Sequence, residues 1–135
     1  MRSGWTEPCI TDDTSIHCYE IVDTLITWKN ASDLCKYDGG NLVTIESAEE
    51  QKYITDVIKR MFLKARSLWI GSDMLHPEEE RAWSNGEKLS YENWAKGEPN
   101  NVDMENCVIL RTNNSMWNDV KCTEKNGYIC ENSCT

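Results

Sequence analysis

No apolar run in this 135-residue chain approaches the roughly 18 residues that a membrane-spanning helix requires, so insertion across a bilayer is not what organises it. The first residues do not read as a secretory leader, which gives the expectation of a chain in mature form. Basic residues are scarce. Fourteen Lys and Arg against twenty-three Asp and Glu leave a net charge of −9, and a surface of that sign repels phosphate backbones and anionic lipid, excluding nucleic acid as a natural partner. Only two histidines occur, His17 and His76, far from each other and from any cysteine cluster, so imidazole-based metal binding is disfavoured. Cys-x-x-Cys pairs are missing, which removes metal knuckles and dithiol redox centres. Internal repeats and low-complexity tracts are missing too.

What is present fits one domain, residues 1–135, long enough to bury a core and too short for two. Seven cysteines are more than a cytosolic chain of this size carries, and disulfides formed in an oxidising compartment explain them best, giving an expected secreted or extracellular location. Sequence alone leaves their connectivity open. An odd count leaves one thiol over, which favours a link between chains and hence a disulfide-linked homodimer. The Glu78-Glu79-Glu80 run reads as a loop kept in water.

Cys9 and Cys18 flank a polar, turn-rich segment, and Tyr19-Glu20-Ile21 alternates like a strand, so the N-terminus reads as a stapled hairpin. A helix is predicted from about Thr27 to Lys36, where Trp28, Ala31, Leu34 and Cys35 recur at helical spacing and Thr27 can cap the first turn. Asp38-Gly39-Gly40 stops it. A second helix opens at Ser47, whose hydroxyl can accept from the Glu50 N–H while the Glu50 side chain reaches back. Its apolar stripe runs Tyr53, Ile54, Val57, Ile58, Met61, Phe62, a core-packing pattern. Short strand-like runs follow at Leu68 to Ile70, Arg81 to Trp83, Cys107 to Arg111, Ser115 to Trp117 and Gly127 to Cys130. Two helices and several strands give an α+β domain with small antiparallel sheets. Between Asp73 and Glu105 periodicity fails and turn formers such as Asn85-Gly86 and Gly97 gather; an irregular region that long is expected to carry function or to be disordered.

That region holds the chemistry. Glu98-Pro99-Asn100 and Trp117-Asn118-Asp119, with Glu105 between them, concentrate carboxylates and side-chain amides. Such hard oxygen donors suit calcium, which takes six to eight of them, and the lack of thiolate or imidazole among them disfavours zinc. These runs resemble the C-type lectin family, whose carbohydrate-recognition domain carries a Glu-Pro-Asn tripeptide followed by Trp-Asn-Asp. Trp69-Ile70-Gly71 and Tyr128-Ile129-Cys130-Glu131 resemble its core and closing strands, so the likeness covers nearly the whole chain.

The resemblance implies the C-type lectin-like fold in its long form, with disulfides Cys9–Cys18, Cys35–Cys130 and Cys107–Cys122, leaving Cys134 over. It implies a Ca2+ cofactor held by Glu98, Asn100, Glu105, Asn118 and Asp119, with a cis Pro99 aiming its neighbours to one side. It implies sugar binding through those same five residues. Vicinal hydroxyls complete the calcium shell, and the carboxylates accept their protons while the amides donate to their oxygens. The Glu-Pro-Asn form is associated with mannose, fucose and N-acetylglucosamine, whereas galactose binders commonly show Gln-Pro-Asp. For an auxiliary calcium site the chain offers Glu78, Asn101 and Glu105, with Met74 where an aspartate is expected and Asp73 beside it. A member of the same fold that binds a protein, or binds sugar without calcium, is the competing reading. A glycosidase using Glu98 and Glu105 is disfavoured, because those carboxylates would have to give up calcium. Trp117 is expected beneath the site as an apolar anchor. Asn113-Asn114-Ser115 and Asn30-Ala31-Ser32 match the glycan acceptor pattern, Asn113 being the better placed.

Overall fold

The structure, a computed structural model of the chain, describes residues 10–11, 16–72, 82–98 and 106–134, with side chains described for 18–72, 82–98 and 107–132. Its elements run β1 (Ile10–Thr11), β2 (Ile16–Ile26), α1 (Trp28–Tyr37), β3 (Asn41–Leu42), α2 (Ala48–Lys59), β4 (Ser67–Trp69), β5 (Asn106–Arg111), β6 (Trp117–Lys121) and β7 (Asn126–Cys134). The α+β expectation holds, as does the pairing of β1 with β2 near the N-terminus.

Instead of small antiparallel sheets, the described strands form one seven-stranded mixed sheet in the order β1-β2-β7-β4-β5-β6, with β3 also on β7. The last strand therefore lies inside the sheet. β7 meets β2 antiparallel from Ile16↔Cys134 to Ile26↔Asn126, β3 antiparallel at Leu42↔Cys130, and β4 parallel at Trp69↔Tyr128. Parallel neighbours need a long crossover, and here the intervening β5 and β6 supply it. Gly71 shows how tightly the layers meet: a Cβ there would lie 2.8 Å from the Leu42 and Val43 carbonyl oxygens, so only glycine fits.

Local signals set both helices. Thr27 caps α1 by accepting from the Asn30 N–H, and the chain leaves through Gly39 at φ 90°, a conformation glycine adopts without a Cβ clash. Trp28, Ala31 and Cys35 form the buried face, and the Cys35–Cys130 disulfide ties α1 to β7. Ser47 caps α2 through the Glu50 N–H at 3.0 Å. The reciprocal half of the expected capping box is displaced by one residue: Glu50 accepts from the Glu46 N–H at 2.8 Å and from the Tyr19 hydroxyl.

Other boundaries moved for definable reasons. α2 ends at Lys59, so Met61 and Phe62 leave the apolar stripe and face solvent while Ile54 and Ile58 stay buried. Ser115 cannot open a strand because its φ is 61°, and β6 begins at Trp117. Of the run expected at Arg81 to Trp83, Arg81 lies outside the described residues and Ala82 makes a single bridge to Lys88.

Candidate metal centre

Backbone register assembles the described part of the site. β6 is the edge strand, and the segment before Glu98 runs along its free side: the Trp117 N–H donates to the Asn93 carbonyl and the Ala95 N–H to the Trp117 carbonyl, each at 2.9 Å. The Glu98 N–H then donates to the Ala95 carbonyl at 2.9 Å across a turn whose third residue, Gly97, has φ 83°, the position that demands glycine in such a turn. Glu98 is thereby delivered to Asn118 and Asp119, the two residues that follow Trp117.

At that meeting point the Glu98 carboxyl neighbours Asp119 and Asn118, and its proton affinity responds to both. Hydrogen bonding with the Asp119 side chain first, then burial, then the Asp119 charge raise the Glu98 pKa above the ordinary carboxylate value, against a smaller lowering by the Asp119 backbone and the Asn118 side chain. Glu98 Oε1 is shut off from solvent with no hydrogen-bond partner among the described residues, and Asp119 is itself buried. Two neighbouring carboxyl groups, one with an oxygen that finds no partner among the described residues, are costly unless a proton or a cation lies between them. The donor set is hard oxygen throughout, which fits calcium.

Three of the five expected ligands, Glu98, Asn118 and Asp119, thus come together. Asn100 and Glu105 lie outside the described residues, as do Pro99 and the auxiliary-site candidates Asp73, Met74, Glu78 and Asn101. No group of three or more His, Cys, Asp or Glu arranged to hold a metal occurs among the described residues.

Below the site, Trp117 is fully buried as expected, its ring met edge-on by Trp83, Tyr91 and Trp94 with centroids 5.5 to 6.0 Å apart. Its indole N–H donates to Gln51 Oε1 at 3.0 Å. Gln51 Nε2 and Asn93 Nδ2 both donate to the Ser115 carbonyl, at 3.0 and 2.9 Å. Neither Gln51 nor Asn93 stood out in the sequence. The readable signal was Gln51 itself, an uncharged polar residue in line with Ile54 and Ile58 on the buried face of α2.

The Cys107–Cys122 disulfide closes β5 onto the end of β6, its partners separated by 15 positions in the sequence. Cys18 is disulfide-bonded; Cys9 and the side chain of Cys134 lie outside the described residues. Asn113 is exposed on the β5–β6 turn and Asn30 on α1, while Ser115 and Ser32 of the two acceptor triplets are buried. Elsewhere, burial first and then hydrogen bonding with the Glu87 side chain raise the Glu46 pKa.

A mixed sheet with its last strand in the interior, two helices, one chain-spanning and one loop-closing disulfide and an oxygen-rich edge define a disulfide-stapled α+β domain. Residues 24–132 match the family model described as the lectin C-type domain, and the chain belongs to that family of non-enzymatic domains, among which are carbohydrate-binding lectins. It is 30% identical over 128 residues to the galactose-specific lectin nattectin of Thalassophryne nattereri, spanning 94% of this chain and 77% of that protein. Among solved structures, the mouse scavenger receptor C-type lectin carbohydrate-recognition domain is 30% identical with a TM-score of 0.83, covering 100% of this chain and 98% of that one. A calcium-independent type II antifreeze protein is 26% identical with a TM-score of 0.79, covering 100% and 95%.

Proposed function

We propose that the chain binds carbohydrate in a calcium-dependent manner, taking mannose-, fucose- or N-acetylglucosamine-type sugars. One observation carries this reading: beside Asp119, Glu98 Oε1 is buried with no hydrogen-bond partner among the described residues, an arrangement that a divalent cation relieves. Glu98, Asn118 and Asp119 would hold the ion together with Asn100 and Glu105. When bound, calcium offers spare coordination places to the adjacent hydroxyls of a sugar. Glu98 and Glu105 are then poised to accept the hydroxyl protons, and Asn100 and Asn118 to donate to the same oxygens. Trp117 and its aromatic neighbours keep β6 from yielding as the ligand docks.

The Glu98-Pro99-Asn100 order supports mannose-type selectivity, although nattectin is named for galactose. A metal-free or protein-binding role is the second reading, favoured by the likeness to a calcium-independent antifreeze protein. The cysteine content supports an extracellular setting. A Cys134 interchain bond would pair two weak sites into one of higher avidity, and Asn113 is the acceptor best exposed for glycan.

Retention on mannose-agarose and on galactose-agarose, with calcium and with chelator, tests the proposal. Mannose retention that calcium supports and chelator abolishes, lost also in Glu98→Gln, is the expected result. Galactose preference would overturn the sugar class, retention in chelator the role of calcium, and no retention on either resin the lectin reading itself.

A further inference from the structure

An acidic chain gathers four of its fourteen basic residues into eight positions: Lys59, Arg60, Lys64 and Arg66, all exposed, sit around Met61 and Phe62. The two ion pairs recorded among the described residues, Lys29–Asp33 and Lys52–Asp56, use none of the four. Phe62 is completely exposed, at 103% of its reference area. A lone surface phenylalanine is ordinary; one held outward by hydrogen-bonded backbone amid cations that make no ion pair among the described residues is not.

The holding is specific. The Asp23 carboxylate accepts from the Lys64 and Ala65 N–H groups at 2.7 and 2.8 Å, and the Thr112 hydroxyl donates to the Ala65 and Arg66 carbonyls at 3.1 Å. Met61 is fixed from the other side by its N–H bond to the Ile58 carbonyl. Leu63 packs on the core and Ala65 is buried, so the inward places in the loop are taken and Phe62 has nowhere inside to go.

We propose that this loop docks the domain peripherally on an anionic phospholipid bilayer, with Phe62 entering the headgroup boundary and the four cations meeting lipid charge. The apolar tip selects lipid over other polyanions, since a fully hydrated phenyl ring gains most by entering hydrocarbon. Each Lys or Arg near such a surface raises partition about fivefold. The net charge of −9 opposes approach from most directions, but screening limits each charge to a reach of about 8 Å at physiological ionic strength, so this loop sets the docking face. Of the nearby acids, Asp23 is engaged with backbone N–H groups and Asp56 with Lys52.

Vesicle co-sedimentation of unglycosylated protein, in chelator so that calcium bridging plays no part, tests this. Vesicles of phosphatidylcholine with about 30% phosphatidylserine are expected to bind the protein and pure phosphatidylcholine vesicles are not. Phe62→Ser should lower partition about tenfold with an unchanged melting temperature, because the ring has no contacts to lose. Lys59→Glu combined with Lys64→Glu should abolish binding. Absence of binding to the anionic vesicles, equal binding to both compositions, or binding that heparin displaces while Phe62→Ser leaves it intact would each overturn the proposal, the last in favour of a sulfated polysaccharide.

Discussion

The Ser115 carbonyl beneath the candidate metal centre has two donors, Gln51 Nε2 and Asn93 Nδ2, and that redundancy fixes how two substitutions must combine. Gln51→Met keeps volume and removes both hydrogen-bonding ends of the side chain. It orphans the buried Trp117 indole N–H, at a cost of about 1 to 3 kcal/mol, but leaves Ser115 served by Asn93. Asn93→Ala removes one bond from a carbonyl still served by Gln51, costing about 0.5 to 1.5 kcal/mol. Only the double variant leaves the carbonyl of Ser115, a residue 4% exposed, without either donor. The pair should therefore lose about 1 to 3 kcal/mol more than the sum of the singles. Urea unfolding of the four proteins in chelator, with disulfides intact, measures this. Additivity within about 0.5 kcal/mol would show that the two donors do not substitute for each other. Because the Asn93 carbonyl also anchors Trp117 and starts the segment leading to Glu98, the double variant should bind calcium more weakly as well.

Two further outcomes follow from the same geometry. Glu98 and Glu46 both bind their protons more tightly folded than unfolded, so the stability they contribute is fully present below the ordinary carboxylate pKa and is lost as pH rises through their raised values. Ion-free protein should therefore gain melting temperature on mild acidification from neutral pH. The extra stability conferred by calcium should shrink over the same window, since proton and cation compete for Glu98; a pH-independent calcium increment would contradict this. Replacing Cys107 and Cys122 by serine should cost about 3 kcal/mol and also weaken calcium binding, whereas replacing Cys35 and Cys130, 95 residues apart, should cost about 4.7 kcal/mol and spare calcium affinity in the protein that still folds. Denaturant and calcium titrations of both variants separate the two effects.

What the sequence disclosed was local, or lay in spaced side-chain chemistry. The Thr27 and Ser47 caps act over three residues, and the structure has both. Glu98, Asn118 and Asp119, which the family resemblance implied as ligands, are neighbours in the fold, and that they hold an ion is the proposal made above. What stayed hidden depends on partners far along the chain. Gln51 meets Trp117 across 66 residues, and no periodicity marks such a bond in advance. Met61 and Phe62 continued the helical stripe on paper, yet Arg60 closes the helix and Asp23, 41 residues before Lys64, draws the following backbone away. Ser115 looked like a strand residue until its left-handed conformation excluded it. The place of β7 between β2 and β4 is likewise non-local, because a strand's own pattern does not name its neighbours.

That central place has a consequence for how the domain is made. β2, β3 and β4 all wait for a strand that leaves the ribosome after every other described element, and Cys35 waits 95 residues for Cys130, about 5 to 19 s at ordinary elongation rates. During that interval Cys35 is a nascent-chain thiol with the wrong cysteines nearest to it. Oxidative folding of this domain should accordingly depend on disulfide reshuffling after synthesis, with isomerase demand set by the position of one strand.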